Sequence, residues 1–236
     1  MQKYKNLFIK ILITISIVVV VFLSLKFKDN SNDNQIFQGK VFSSDWFSKN
    51  IPHWEKHKKY FDHKPDMRGL EIGSFEGRST LWAAKNYFNG QGSTLEAIDT
   101  WEGSVEHQNG AYLTSIYSNF LFNLKDQIKS GQVIPIKARS KDTLMRFNLE
   151  VLDGRRKLYD FIFIDGAHDA KSVAEDAILS WDLLKKGGIL IFDDYTWRGE
   201  KASPDEPKSA IDFFMHAYAG KYEILHKDYQ LHIRKI

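Results

Sequence analysis

Two apolar runs in this chain end in acids. Phe161-Ile162-Phe163-Ile164 leads into Asp165-Gly166-Ala167-His168, and Ile189-Leu190-Ile191-Phe192 leads into Asp193-Asp194-Tyr195. If the two runs are neighbouring strands, roughly 4.8 Å apart, their terminal carboxylates converge on one spot. Clustered carboxylates repel one another unless a proton or a cation intervenes. Hard oxygen donors in a chain with no cysteine favour Mg²⁺ or Mn²⁺ over zinc. Asp165, Asp193 and Asp194 are therefore the candidate metal ligands. The competing reading is structural: Asp165 or Asp169 caps the next helix, and His168 is a satisfied surface histidine. Two acid-bearing strand ends in this order favour a site.

A third run, Arg68–Ile72, enters Gly73-Ser74-Phe75-Glu76-Gly77-Arg78-Ser79. Two glycines at a strand-to-helix turn let backbone approach a ligand closely, and the helix start aims free N–H groups at it. The spacing is G-x-x-x-G, which is neither the dinucleotide fingerprint nor a P-loop. The next strand ends at Asp99, where an acid can accept hydrogen bonds from ribose hydroxyls. A strand-end aspartate by itself is more often a turn or cap residue; with the glycine turn beside it, the nucleoside reading is the better one.

These residues need a frame that brings strand ends together. Candidate strands at Arg68–Ile72, Thr94–Ile98, Val133–Ile136, Tyr159–Ile164 and Gly188–Phe192 alternate with candidate helices at Gly77–Tyr87, Ala111–Lys129, Lys141–Leu152 and His168–Lys186. In the last helix Val173, Ala177, Trp181 and Leu184 share one face, Lys185 and Lys186 fall in the final turn, and Gly187 ends it. Strands that are apolar on both faces suit a parallel sheet covered by helices. A helix over Ser44–Tyr60 precedes this pattern. A helix over Pro207–Ala219 and two strand-like runs, Tyr222–His226 and Gln230–Ile233, follow it. The pattern predicts a doubly wound, mostly parallel seven-stranded α/β sheet with helices on both faces and a C-terminal antiparallel strand. Ligands of such sheets lie outside the carboxyl ends of the strands.

At 236 residues the chain has room for one domain and an appendage. A composition of 43% hydrophobic and 27% charged residues excludes disorder and low-complexity scaffolds. The absence of cysteine excludes disulfides, iron–sulfur clusters and a thiol nucleophile. Of the formal charge of +3, residues 1–28 supply +5 and leave −2 on the rest, so no nucleic-acid partner is expected. Leu7–Leu25 reads as a membrane helix about 28 Å long, with a cleaved signal peptide as the alternative. The expected organisation is a basic flank and transmembrane anchor over 1–28, a polar tether over 29–40 and a catalytic domain over 41–236. The expected location is accordingly a membrane, through a single-pass N-terminal anchor, with the side carrying the domain left open by a thin lysine bias.

The motif E-x-G-x-x-x-G-x-S at Glu71–Ser79, the acid at Asp99 and the block from Tyr159 to Tyr195 together resemble class I S-adenosylmethionine-dependent methyltransferases. Within these they are most similar to the small branch called methyltransferase domain 24, related to the macrocin O-methyltransferases. The resemblance spans about residues 67–235. It implies that Glu71, Gly73 and Ser79 line the methionine and ribose part of the cofactor, and it counts Ser74, Gly77 and Asp165 among the cofactor positions. It also implies that Asp99 holds the ribose hydroxyls, that Thr100 and Trp101 lie near the adenine, and that Ser140 flanks it. In metal-dependent relatives Asp165, Asp193 and Asp194 would hold the cation. Two departures stand out: Ala170 occupies a place where tyrosine is common, and Ala138-Arg139-Ser140 lacks the usual acid of the adenine loop.

The activity implied is O-methylation of a small-molecule hydroxyl, on a sugar or another polyhydroxyl compound, with a divalent cation assisting. His168, or a spare carboxylate such as Asp165, is the candidate base. Trp101, Tyr195 and Trp197 are candidate stacking residues, with buried packing the alternative. Two other readings are a membrane-tethered scaffold that keeps the fold without catalysis and a metal-dependent hydroxylase-like relative. The second lacks the two histidines that an iron facial triad needs at strand ends. Oligomeric state is not legible.

Overall fold

The computed structural model describes residues 35–103, 115–198 and 203–236. Contacts divide the chain into Met1–Lys40 and Val41–Ile236, and every element named below lies in the second unit. Its strands are β1 (Arg68–Ile72), β2 (Thr94–Asp99), β3 (Val133–Lys137), β4 (Tyr159–Ile164), β5 (Leu184–Phe192), β6 (Tyr222–Lys227) and β7 (Leu231–Lys235). Its helices are α1 (Ile51–Glu55), α2 (Lys58–Phe61), α3 (Arg78–Asn86), α4 (Ile116–Asn123), α5 (Lys125–Lys129), α6 (Ser140–Leu152), α7 (Ala170–Leu183) and α8 (Pro207–Ala217).

The seven strands form one sheet in the order β3-β2-β1-β4-β5-β7-β6. β1 to β5 run parallel, whereas β7 is antiparallel to both β5 and β6. This is the mixed, Rossmann-like sheet that the alternation of strand and helix predicts. The direction of winding reverses between β1 and β4, the place where doubly wound sheets open a crevice. In register Ile72 lies beside Ile164, and Ile164 beside Phe192. The residues that follow these three strands therefore emerge side by side.

β4 shows why its sequence must be apolar throughout. Ile162 and Ile164 face a core built with Leu190, Phe192, Val173, Trp181, Ile211 and Phe214. Phe161 and Phe163 point the other way, edge-on to the buried Trp54 of α1 at centroid distances of 5.4 and 4.8 Å. Trp54 in turn stacks on Tyr87 and meets Trp82 edge-on, so α1 and α3 cover that face with aromatic rings. Alternating side chains thus bury both faces of one strand.

Three expected elements differ from what forms. The helix after β4 ends at Leu183, and Lys185 and Lys186 lie in β5. The Lys185 ammonium is 2.7 Å from the Asp160 carboxylate on β4, so it serves a strand-to-strand ion pair and not a helix terminus. The long helix expected over Ala111–Lys129 breaks at Leu124 into α4 and α5, and residues 111–114 of that span lie outside the described residues. The single helix expected over Ser44–Tyr60 is instead a 3-10 turn at Ser48–Asn50 followed by α1 and the start of α2.

The expected membrane location is corrected. Among the described residues no helix is long and apolar enough to cross a membrane. The span over Leu7–Leu25, on which the anchor and the membrane contact rested, lies outside the described residues, and the placement is withdrawn.

Candidate functional site

The turn after β1 is built around two glycines in left-handed backbone, Gly73 at φ +83° and Gly77 at φ +82°. A Cβ on Gly73 would lie 1.9 Å from the carbonyl oxygen of Asp165, so only glycine lets the turn pass the end of β4 this closely. Gly77 opens α3, and no side chain caps that helix start. The first N–H groups of a helix have no partner within it, which suits such a start to an anionic ligand.

Beneath this turn the Glu71 carboxylate is buried and accepts hydrogen bonds from Ser79 Oγ at 2.5 Å and from Thr80 Oγ1. Burial pushes Glu71 up to about 7, opposed by these hydroxyls and reinforced by the nearby Asp99. Glu71 and Ser79 are thus bonded to each other and hold the turn against α3. Asp99 Oδ2 accepts the backbone N–H groups of Ser74 at 2.9 Å and Phe75 at 2.8 Å, and Oδ1 accepts that of Trp101 at 2.7 Å. A carboxylate has about four acceptor positions, so three of those on Asp99 shape the loops and about one is left over. The Trp101 indole is buried, donates to the Phe75 carbonyl at 2.8 Å and packs on Tyr117 and Phe120. Thr100 is half-buried beside it, with Oγ1 accepting from Glu102 N at 3.3 Å. Ser140 opens α6 and donates to the buried Asp176 of α7, whose carboxyl burial pushes up to about 7.

At the neighbouring strand ends Asp165, His168 and Asp194 each offer a ligand atom, all within 4.8 Å of one another. His168 Nε2 lies 2.9 Å from Asp194 Oδ2. Asp193 stands next to this group. Its Oδ1 accepts from the Asp194 backbone N–H at 2.9 Å and from Gln230 Nε2 at 3.2 Å. The structure therefore brings together all four residues expected here, but it puts His168 in the ligand-distance group and Asp193 beside it. Asp169, not Asp165, caps α7, accepting from Ser172 N at 2.9 Å. That leaves the Asp165 carboxyl to the recess.

Asp165 and Asp193 keep some solvent contact, yet protein surrounds their carboxyls closely. Burial, reinforced by the charges of Asp193, Asp194 and Glu71, holds Asp165 well above the usual carboxylate range. Burial and Asp194 push Asp193 up to about 7. Each of these acids prefers its proton in the fold more than in the unfolded chain. Their stabilising effect is complete below the unfolded carboxylate range and is lost as pH rises through their raised values, about 7 for Asp193. Burial acts oppositely on His57 and His232, lowered to about 4 and about 2, so their contribution is lost as pH falls below 6.5. Between pH 8 and 6.5 the carboxyls dominate, the histidines only beginning to lose their contribution towards 6.5. The protein is expected to gain on the order of 5 °C in Tm over that interval. Scanning calorimetry would show it, and a flat or inverted profile would contradict this account of the acids.

Tyr229 and Lys49 carried no clear signal in the sequence, whereas Trp197 and Tyr195 were expected as stacking residues. Tyr229 donates its hydroxyl to Asp194 Oδ1, and the Lys49 ammonium lies 3.6 Å from the Tyr229 ring centroid. Trp197 places its ring 4.8 Å from that of His168. Tyr195 is buried and donates to Asp212 at 2.8 Å, so it packs against α8. Asp176 was findable, because it is an acid on the apolar face that carries Val173 and Ala177.

The family model described as a methyltransferase domain matches residues 70–195, just over half of the chain, from within β1 to Tyr195. An uncharacterised protein of Acanthamoeba polyphaga mimivirus is 29% identical over 159 residues, covering 67% of this chain. The chain matches 64% of that relative's length, a little under two thirds. Among solved structures, the O-methyltransferase from Bacillus cereus in complex with SAH is similar over 87% of this chain and 91% of its own, with TM-score 0.59 and 16% identity. MycE methyltransferase from the mycinamycin biosynthetic pathway, in complex with Mg and SAH, is similar over 86% of this chain and 53% of its own, with TM-score 0.53 and 15% identity. At these identities the structural likeness is one of fold.

Proposed function

The chain belongs to this methyltransferase-domain family, within the class I S-adenosylmethionine-dependent methyltransferases, and we propose that it methylates a hydroxyl of a small molecule with a divalent cation assisting. The observation that carries the proposal is the convergence of Asp165, His168 and Asp194 at the strand ends, directly beside the Gly73–Gly77 turn. A donor turn and an acidic recess share one backbone contact.

S-adenosylmethionine brings a methyl group already activated on a cationic sulfur, so the protein mainly has to align the acceptor and receive its proton. The uncapped start of α3 and the glycine turn fit a cofactor with a carboxylate and ribose. Gly73, Gly77, Asp99, Thr100 and Ser140 would line it. Glu71, Ser74, Ser79 and Trp101, being buried, would support the cradle from beneath. On the acceptor side, the mutual repulsion of Asp165, Asp193 and Asp194 is relieved by a cation, and their oxygen donors suit Mg²⁺ or Mn²⁺. Such a cation polarises a bound hydroxyl and lowers its pKa. MycE, of the same fold, is seen with Mg.

Asp194 holds the His168 ring through Nε2, in the manner of a carboxylate orienting a catalytic imidazole. His168 is accordingly the base that takes the hydroxyl proton. Its place within 4.8 Å of both acids favours a second reading, in which it is itself a metal ligand. His168→Ala separates the two. A base is lost as a fall in kcat with Mn²⁺ affinity kept, whereas a ligand is lost as a fall in Mn²⁺ affinity. Trp197, half-buried against His168, offers a face for a sugar ring, which favours a sugar or other polyhydroxyl acceptor.

The proposal is tested by following labelled methyl transfer to a panel of sugars and phenols, with Mg²⁺, Mn²⁺ or chelator. Transfer to a hydroxyl that chelator abolishes is expected. Transfer that is indifferent to chelator would remove the cation, and transfer to amines alone would remove O-methylation. Binding of the cofactor without transfer to any acceptor would favour a scaffold on this fold.

A further inference from the structure

Residues outside the span matched by the family model reach the acidic recess from behind. Tyr229 and Gln230 lie in the connection between β6 and β7, and each donates to one of the consecutive acids, Tyr229 to Asp194 and Gln230 to Asp193. Gln230 is 1% exposed, and every polar atom of its amide is used. Its Oε1 accepts from Trp54 Nε1 at 2.8 Å and lies 2.9 Å from His232 Nε2. His232 Nδ1 lies 2.8 Å from His57 Nε2.

The protons in this chain can be assigned. An indole nitrogen only donates, so the Gln230 atom facing Trp54 must be the oxygen. That oxygen accepts, so His232 Nε2 must carry hydrogen. In the neutral ring Nδ1 is then the acceptor, and His57 Nε2 must donate to it. Burial keeps both imidazoles neutral through the physiological range, in agreement with this assignment. Every hydrogen bond from His57 through His232 and Gln230 therefore points the same way and ends as a donor on Asp193. Gln230 cannot turn round without setting its amide N–H groups against the Trp54 N–H and its oxygen against the Asp193 carboxylate.

We propose that Tyr229 and Gln230, the latter locked by Trp54, His232 and His57, are positioning residues that hold Asp194 and Asp193 as oriented acceptors for a divalent cation. The proposal rests on the cation reading above. The C-terminal antiparallel hairpin and α1 thereby complete a site whose acids come from the parallel strands. Hydrogen-bond partners of metal ligands fix ligand orientation, and losing one typically weakens metal affinity by about 10–100-fold.

The test is Mn²⁺ titration of the full chain by calorimetry, with S-adenosylmethionine affinity and Tm measured on the same samples. Tyr229→Phe removes one hydroxyl and keeps the ring under Lys49. Gln230→Met removes the amide at nearly constant volume, and its Tm shows whether it folds. Tyr229→Phe is expected to weaken Mn²⁺ binding at least tenfold while S-adenosylmethionine affinity stays within about threefold. Gln230→Met should weaken Mn²⁺ binding at least as much. Wild-type Mn²⁺ affinity in a folded Tyr229→Phe protein would overturn the positioning role and leave the cation reading standing. No Mn²⁺ binding by the wild type would overturn the cation reading, and the positioning role with it.

Discussion

Asp194→Asn is expected to lower methyl transfer by about 10²- to 10³-fold while leaving S-adenosylmethionine affinity within about threefold. The substitution keeps the size of the side chain and an oxygen that can accept from Tyr229. Asparagine also tolerates the left-handed backbone at this position, φ +57°. It removes the negative charge that faces His168 Nε2 at 2.9 Å and one of the carboxylates that raise Asp165 and Asp193. On the proposed mechanism the base would lose its orienting partner and the cation a ligand. The same change relieves repulsion in the metal-free protein, so its Tm at pH 8 should rise even as activity falls. Steady-state kinetics, calorimetric titration and thermal unfolding of one preparation would check all three. Equal loss of turnover and cofactor affinity would point to a collapsed turn and contradict the role given to Asp194.

Gly73→Ala has the larger structural effect. The added Cβ would stand 1.9 Å from the Asp165 carbonyl oxygen, 2.4 Å from its carbon and 2.6 Å from Gly166 Cα. All three are backbone atoms at the end of β4, which β1 and β5 hold on both sides, so no side-chain rotation relieves the contact. Together with the left-handed φ, the cost is about 3 kcal/mol or more. Because the displaced backbone carries Asp165, cofactor affinity and cation affinity should fall together. Gly154→Ala is the control. Its φ of +69° is also left-handed, but nothing lies within 4 Å of a Cβ there. Only the backbone preference of about 1 kcal/mol should appear. If the two variants unfold at the same temperature, the close approach of turn and strand is not what glycine serves at position 73.

Much of this arrangement was legible in the sequence, for definite reasons. β1 and β4 form over the predicted residues; in β4 an apolar run is what a strand buried on both faces requires. The order of acids after β4 and β5 followed from the same runs. What escaped was set by contacts distant in sequence. Lys185 and Lys186 look like cations closing a helix, yet Lys185 is drawn into β5 by Asp160 on the adjacent strand. The resemblance counts Glu71 and Ser79 among the ligand-lining residues, but their spacing lets them bond each other across the turn from strand to helix. Tyr229 and Gln230 sit in a plain polar connection, and only the pairing of β7 with β5 brings them to Asp194 and Asp193. No local pattern encodes such a donor.

The central claim is that the Gly73–Gly77 turn and the acidic recess are two halves of one methyl-transfer site. Calorimetric titration of S-adenosylmethionine into the purified full chain, first with Mg²⁺ and then with chelator, tests it most directly. Binding of one equivalent with Kd on the order of 10 μM, about −7 kcal/mol, is predicted in both conditions, since on the proposed mechanism a cation would serve the acceptor and not the cofactor. A chain that unfolds cooperatively yet takes up no S-adenosylmethionine in either condition would contradict the account.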